Sequence, residues 1–306
     1  MTVRGAKNLA PSGVESLIDR AGQLLDRLER YLPVEVPLPD FAHAVAFRWR
    51  RRGGVSGALV TVAHPHRIAL SDLRGIEAQV ALIDANTRQF VAGTPANNVL
   101  LTGARGTGKS SVVKAVFNKY TASGLRLIEV EKHDLVDLPD IVERVADLPY
   151  RFIVFCDDLS FDAEEPGYKA LKAILDGSIA VTSDNLLVYA TSNRRHLMPE
   201  FMKENLETAY VGDEIHPGET VEEKVSLSER FGLWVSFHPF DQDHYLAIAR
   251  HWVGHFGVSA DAGDFDREAL QWALARGSRS GRVAWHFARD YAGRAMLAAQ
   301  RAKRRR

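Results

Sequence analysis

The sequence has little cysteine and no surplus of charge of either sign. Its one cysteine, Cys156, excludes a disulfide within the chain and a zinc site built from cysteines. Lysine plus arginine and aspartate plus glutamate each number 39, so the overall charge favours neither nucleic acid nor an anionic membrane. Any such preference must come from local clusters of charge.

Long hydrophobic runs are also missing. No stretch approaches the roughly 20 apolar residues of a membrane-spanning helix, and the opening residues MTVRGAKNLAPSG lack the apolar core of a secretion signal. We therefore expect a cytoplasmic protein with no membrane partner. The chain has 306 residues, 46% of them hydrophobic, which suffices for a sizeable core in one large or two modest domains.

The first 70 residues predict a helix followed by extended segments. Residues 13–32 place apolar side chains at helical spacing, and the proline-rich stretch LPVEVPLPD ends that pattern. Residues 44–70 contain short strand-like runs broken at Gly53 and Gly54, with four arginines between 48 and 52. We interpret these arginines as a solvated charged turn, with nucleic-acid contact as the alternative.

The middle of the chain alternates short apolar strands with helical stretches. Such strands, each followed by a helix, indicate a parallel sheet covered on both faces. In these sheets ligands bind at the carboxyl ends of the strands. Residues 241–299 have no strand-like run and predict three helices.

The stretch LLTGARGTGKSSVVKAVF, residues 100–117, indicates a nucleotide. It matches G-x-x-x-x-G-K-[S/T] between a predicted strand and a predicted helix. Backbone N–H groups of such a loop surround phosphate oxygens, and the positive end of the helix faces them. Lys109 would reach the terminal phosphates and the Ser110 hydroxyl would bind Mg²⁺. The predicted nucleotide-binding residues are Gly103, Ala104, Arg105, Gly106, Thr107, Gly108, Lys109, Ser110 and Ser111.

Two further strands end in polar side chains that such a site requires. RFIVFCDDLSF ends in Asp157, the expected Mg²⁺ ligand, and Asp158, which is placed to orient or deprotonate the attacking water. NLLVYATSNRRHL ends in Asn193, whose amide could hold that water. The alternatives are a solvated acidic turn for the aspartates and a turn-forming residue for Asn193.

In this order the segments resemble the AAA+ ATPases, with Walker A at 103–110, Walker B at 152–158 and sensor 1 at Asn193. The stretches PANNVLLTGARGTGKSS, FCDDLSF, YATSNRRHL, EIHPGE and LSERFGLWVSF together resemble one bacterial AAA+ family, DUF815, over roughly residues 10–300. The resemblance implies an α/β P-loop NTPase fold, a three-layer parallel sheet with a C-terminal all-helical lid. It divides the chain into an N-terminal region at 1–70, a nucleotide-binding domain at 71–240 and a lid with a basic tail at 241–306.

The resemblance also implies roles for residues outside the phosphate loop. Leu73, Gly75 and Ile76 in SDLRGIEAQ would line the adenine. Arg230 in SLSERFG would be an arginine finger for the neighbouring subunit's nucleotide, which implies a homo-oligomer, a ring or a helical array. Alternatively, Arg230 pairs with a local acid such as Glu229 or an acid in the adjacent loop. Arg282 in SRSGRVAWHFARD would be sensor 2, with Arg276 and Arg279 as the other candidates.

Two features depart from the family pattern. Asp158 stands where AAA+ proteins usually have glutamate, which is longer by one methylene, so water activation would need a changed geometry. Residues 204–223 carry seven acids and no lysine or arginine, and we expect them to form an exposed loop.

These features predict an assembling, magnesium-dependent ATPase that binds ATP and remodels or loads a macromolecular partner. Two alternatives stay open: a P-loop kinase of a small molecule, and a nucleotide-dependent switch or scaffold that does not hydrolyse ATP. The sequence does not name the partner. Basic clusters at 48–52 and 301–306 make nucleic acid one candidate.

Overall fold

A computed structural model describes residues 18–24, 37–52, 56–161, 165–177, 184–193, 209–211, 214–216, 227–260 and 264–304. The chain divides into two compact units, one of residues 1–37 and 51–56, the other of residues 38–50 and 57–306. In the first unit, residues 18–24 are helical, inside the predicted helix at 13–32. Every predicted site residue belongs to the second unit.

Seven strands form one sheet. The strands of the described residues are β1 (Ala46–Arg52), β2 (Ser56–Thr61), β3 (Val99–Gly103), β4 (Leu125–Glu129), β5 (Arg151–Cys156), β6 (Leu186–Ser192), β7 (Ala209–Val211), β8 (Glu214–His216) and β9 (Leu233–Phe237). The sheet has the order β2-β1-β4-β5-β6-β3-β9, and its pairings from β1 to β9 are parallel. The carboxyl ends of β3, β5 and β6 therefore meet at one edge.

Helices cover both faces of the sheet. In chain order they are α1 (Glu77–Val91), α2 (Lys109–Tyr120), α3 (Leu138–Val145) and α4 (Pro166–Leu175). The side chains of β5 alternate between two cores: Phe152 and Val154 pack in the same core as α3 and α4, whereas Ile153 and Phe155 pack in the core of α1 and α2. This confirms the predicted three-layer α/β fold.

Three helices form the C-terminal part, as the sequence predicts. They are α5 (Gln242–His255), α6 (Phe265–Ala275) and α7 (Gly281–Arg304), and they share a separate apolar core around Tyr245, Phe265 and Phe287. Asp241 caps α5 by accepting a hydrogen bond of 2.8 Å from the His244 N–H. Among the described residues, no helix is both long enough and apolar enough to cross a bilayer.

Two segments differ from their sequence-based interpretation. Strands β1 and β2, from the segment assigned to the N-terminal region, extend the central sheet, and Arg48 is bound to Glu129 of β4 at 2.6 Å instead of belonging to a solvated turn. The acidic segment, expected to be a loop, contains the antiparallel pair of β7 and β8. The missed signal was Gly212-Asp213, residue types typical of a two-residue turn, between strand-like residues. The domain boundaries after residues 70 and 240 stay predictions.

Candidate functional site

The phosphate loop connects β3 to α2 in the conformation that the motif requires. Gly106 and Gly108 have φ angles of 76° and 100°, in the left-handed region. A Cβ atom on Gly106 would lie 2.8 Å from Ser280, and one on Gly108 would lie 2.8 Å from Ile76. Helix α2 begins at Lys109, so the N–H groups of its first turn have no acceptor inside the helix. The loop therefore offers a cradle of donors that suits phosphate oxygens.

The Lys109 side chain is buried against the phosphate loop. Its ammonium donates to the carbonyl oxygens of Gly103 at 2.7 Å and Ala104 at 2.8 Å, and to the Asn193 side-chain oxygen at 3.0 Å. Burial lowers the pKa of Lys109, and the charges of Asp157 and Asp158 partly oppose that effect. A buried ammonium held mainly by neutral oxygens is a favourable place for an anionic ligand.

Asp157 lies where the ends of β5, β6 and α2 meet. Its Oδ1 atom accepts hydrogen bonds of 2.6 Å from both the Ser110 and the Thr191 hydroxyl. No cluster of three or more histidine, cysteine or acidic side chains among the described residues could hold a metal ion by itself. A Mg²⁺ ion that comes with a nucleotide needs only one or two protein oxygens besides phosphate and water, and Ser110 with Asp157 supplies such a pair.

Asp158 has a special backbone conformation. At φ 55° it is the only non-glycine residue with positive φ in the described part of the chain. Its N–H donates to Thr191 Oγ1 at 2.9 Å, and its carboxylate accepts a short hydrogen bond from the Asn193 amide and lies 4.0 Å from Arg105. Short polar side chains tolerate this region best. The conformation therefore explains why aspartate is favoured here over the longer glutamate.

A cavity of about 360 Å³ opens beside the phosphate loop. Leu73, Ile76 and Arg282 line it, as do loop residues from Gly106 to Ser111. Gly75, the other residue predicted to line the adenine, is not among the lining residues, and a Cβ atom added to it would lie 2.9 Å from His244. Apolar side chains from both the α/β part and the lid form one wall: Ile68, Leu73, Ile76, Phe240, Ile248 and Trp252. Such a wall suits the flat ring of a nucleobase.

The lid is attached directly to the phosphate loop. The Gly281 N–H, at the start of α7, donates to the Gly106 carbonyl oxygen at 2.8 Å. Of the three candidate sensor arginines, Arg282 lies in the wall of this cavity, whereas Arg276 lines a different concavity on the lid. Helix α7 therefore contacts the phosphate loop through one backbone hydrogen bond and contributes Arg282 to the wall of the cavity.

Arg230 lies away from these residues. It precedes β9 by a few residues, and β9 begins at Leu233, which pairs with Val99 at the amino end of β3. The phosphate loop follows the carboxyl end of β3, about 16 Å further along the strand. Arg230 donates a short hydrogen bond to Asp176 at the end of α4. Asp176 therefore holds this arginine, whereas the acids of the adjacent loop at 217–226 lie outside the described residues.

Sequence reasoning missed several residues that meet at this site. Thr191 binds Asp157 and Asp158, although the strand-end pattern singled out only Asn193. The lid residues Ile248 and Trp252 line the cavity one helical turn apart. Their spacing of four residues was the available signal, but it is equally typical of a core-facing helix stripe.

We expect Lys109→Met to weaken ATP binding by about a hundredfold, because a charge-assisted contact with phosphate is lost while the stem of the side chain stays buried. Titration with a fluorescent ATP analogue measures the change. The matched control is Lys119→Met on the same helix, where the ammonium binds Asp84 at 2.8 Å instead of facing the loop. Equal affinity in the wild type and Lys109→Met would contradict the assignment.

Comparison with known proteins gives one family and one fold. A family model described as "Protein of unknown function (DUF815)" matches residues 42–295. No curated protein matches the sequence. The solved structure of Aeropyrum pernix Orc1 in complex with DNA is similar with a TM-score of 0.51 and 17% identity, over 76% of this chain and 62% of that chain. This chain thus spans less than two thirds of Orc1.

Two other solved structures have lower scores. A point mutant of Thermotoga maritima RuvB has a TM-score of 0.47 and 17% identity, over 76% of this chain and 67% of that chain. The replication initiator DnaA bound to AMPPCP and single-stranded DNA has a TM-score of 0.45 and 15% identity, over 74% and 64% of the two chains. At these identities, the likeness to Orc1 shows the fold alone, that of the AAA+ P-loop ATPases.

Proposed function

The chain belongs to the DUF815 family, as the resemblance implied, and we propose from this membership and from the site that it is a magnesium-dependent ATPase that works as an assembly. One observation carries the proposal. Lys109, Ser110, Asp157, Asp158 and Asn193 come from three separate segments and form one hydrogen-bonded group at the carboxyl edge of the sheet. A buried ammonium that is linked by hydrogen bonds to an amide and a carboxylate is more than a structural turn requires.

The proposed binding mode follows from the positions of the donors. The N–H groups of the loop and Lys109 would hold the β- and γ-phosphates, and Arg282 would approach them from the lid. Mg²⁺, when bound between Ser110, Asp157 and the phosphates, would neutralise developing negative charge. The base would occupy the apolar wall between the α/β part and the lid.

Hydrolysis in this proposal depends on Asp158 and Asn193. The Asn193 amide already binds the Asp158 carboxylate, so the two side chains can hold one water molecule between them and the γ-phosphate. Asp158 accepts a proton from that water as it attacks. Lys109 contacts Asn193 as well, so the residue that binds phosphate also positions the residue that orients water.

Assembly is proposed because Arg230 cannot serve its own nucleotide. The length of β3, about 16 Å, separates it from the phosphate loop, which is more than an arginine side chain spans. We propose that it serves the nucleotide of an adjacent copy instead, the role that the resemblance implies for it. In the isolated chain Asp176 holds it, and that contact would be exchanged for phosphate on assembly.

We expect the ATPase rate to rise faster than linearly with protein concentration, because each site is completed by a second copy. Phosphate release measured over a wide range of concentrations, with light scattering on the same samples, tests this. A rate strictly proportional to concentration in a monomeric sample would contradict it. Tight ATP binding without turnover in any assembly state would instead identify a nucleotide-dependent switch that does not hydrolyse ATP. Transfer of the phosphate to an added small-molecule acceptor would identify a kinase.

A further inference from the structure

One face of α7 is an exposed row of residues, and Arg282 is the one of them to which the proposed ATPase gives a role. Its residues are spaced by three or four along the helix, and the opposite face packs in the lid core through Ala284, Phe287 and Ala292. We call the exposed row the α7 stripe; it consists of Arg282, His286, Arg289, Gly293, Met296, Gln300 and Lys303. It contains no acid, and from Arg282 to Lys303 it is about 31 Å long.

The cations of the stripe are not neutralised within the described residues. No carboxylate there forms a salt bridge with Arg282, Arg289 or Lys303. Two other lid arginines behave differently: Arg294 binds both Glu268 at 2.7 Å and Asp290 at 2.9 Å, and Arg267 binds Asp264 at 2.8 Å. The cations of the stripe are therefore available to an anion.

A concavity adjoins the stripe and widens the cationic surface. It has a volume of about 530 Å³ and is lined by Trp272, Arg276, His286, Arg289 and Asp290. The Arg276 guanidinium stacks on the Trp272 ring at 3.8 Å, and that of Arg289 stacks on Trp285 at 4.6 Å. Stacking holds a guanidinium in place while its N–H edge stays available for phosphate. The buried indole N–H of Trp272 also has no hydrogen-bond partner within the described part of the chain.

We propose that the α7 stripe, together with Arg276, binds the phosphate backbone of a nucleic acid. Arg282, Arg289 and Lys303, with Arg276 beside them, spread positive charge over about 31 Å, the length of about nine base pairs at ~3.4 Å each. A membrane surface fits less well, because an interfacial helix needs a broad apolar face, whereas Phe287 and Tyr291 pack in the lid core and the stripe has one large apolar residue, Met296.

The stripe begins at the nucleotide cavity. Arg282 and His286 line that cavity, and His286 also lines the concavity next to Arg276. A nucleic acid on the stripe would therefore contact the same helical turn as the proposed nucleotide. The macromolecular partner of the proposed function would then be a nucleic acid. Its coupling to ATP rests on the proposed function, whereas the binding of nucleic acid to the stripe does not.

The test removes three cations that lie outside the nucleotide cavity, with the variant Arg276→Gln/Arg289→Gln/Lys303→Gln. Binding of a fluorescently labelled duplex and of its single strand is measured by anisotropy without nucleotide, over a series of salt concentrations. The variant is expected to bind at least about tenfold more weakly, and the slope of log affinity against log salt should fall by about three. An unchanged affinity and slope would overturn the proposal.

The control variant, Arg88→Gln/Lys169→Gln/Arg267→Gln, removes the same charge from exposed positions outside the stripe. It should bind nucleic acid like the wild type, and an equal loss in both variants would overturn the assignment to the stripe. Wild-type binding to anionic vesicles or polyglutamate, with none to nucleic acid, would also overturn it. ATP binding is measured separately with the fluorescent analogue, so its absence would reject the proposed function while leaving stripe-dependent nucleic-acid binding intact.

Discussion

Replacing Arg230 with alanine is expected to lower the rate of ATP hydrolysis by about 10³-fold or more and to leave ATP affinity within a few-fold of the wild type. The reason is electrostatic: a guanidinium that arrives at the transferring phosphoryl group stabilises charge that develops in the transition state. Because Arg230 lies at the sheet edge opposite the phosphate loop, its removal does not disturb the nucleotide site of its own chain. Single-turnover hydrolysis at saturating ATP measures the loss.

Asp176 provides the matched control for Arg230. The variant Asp176→Asn breaks the same ion pair but keeps the arginine, so it separates a structural role from a catalytic one. We expect Asp176→Asn to hydrolyse ATP at the wild-type rate or faster, since less energy is needed to release the guanidinium. If Asp176→Asn and Arg230→Ala lose activity equally, Arg230 supports the fold and is not a finger.

Replacing Asp158 with asparagine is expected to lower hydrolysis by about 10²- to 10⁴-fold, the usual contribution of a positioned base. Asparagine has the same shape and tolerates a positive φ angle equally well, so the backbone at φ 55° is kept. ATP binding should be unchanged, because Lys109 and the loop carry the phosphates. Wild-type turnover by Asp158→Asn would show that this carboxylate does not activate water.

Asp158→Glu distinguishes chemistry from backbone strain. Glutamate restores a carboxylate, but it tolerates the left-handed region less well, at a cost of about 1 kcal/mol in stability. We therefore expect measurable hydrolysis together with a lower midpoint of thermal unfolding. An inactive Asp158→Glu with an unchanged midpoint would argue that side-chain length, not charge, sets the rate.

The fold and the core of the site could be predicted because their signals are local. The G-x-x-x-x-G-K-[S/T] loop fixes its own conformation, and the apolar strands before Asp157 and Asn193 end at one edge of a parallel sheet. Contacts between distant segments could not be predicted. The partner of Arg230 is Asp176, 54 residues away, and no pattern in the sequence links the two.

Other differences have equally physical causes. Arg276, Arg279 and Arg282 have the same chemistry, and only the direction in which α7 leaves the phosphate loop places Arg282 in the cavity. The charges of Arg48 and its neighbours favoured an N-terminal region outside the sheet for the segment that forms β1 and β2. In the structure, the ion pair between Arg48 and Glu129 of β4 accompanies the pairing of β1 with β4 in the central sheet. The left-handed conformation of Asp158 likewise depends on Thr191 and Asn193, which follow it by more than 30 residues.

Mixing two variants with complementary defects tests most directly whether sites are shared between copies. Lys109→Met keeps the arginine finger but binds ATP about a hundredfold more weakly, whereas Arg230→Ala keeps the nucleotide site but loses the finger. If Arg230 completes the site of an adjacent copy, the mixture should hydrolyse ATP well above the sum of its two components at equal total protein. A mixture that stays at that sum, although light scattering shows that the variants assemble together, would contradict a shared site.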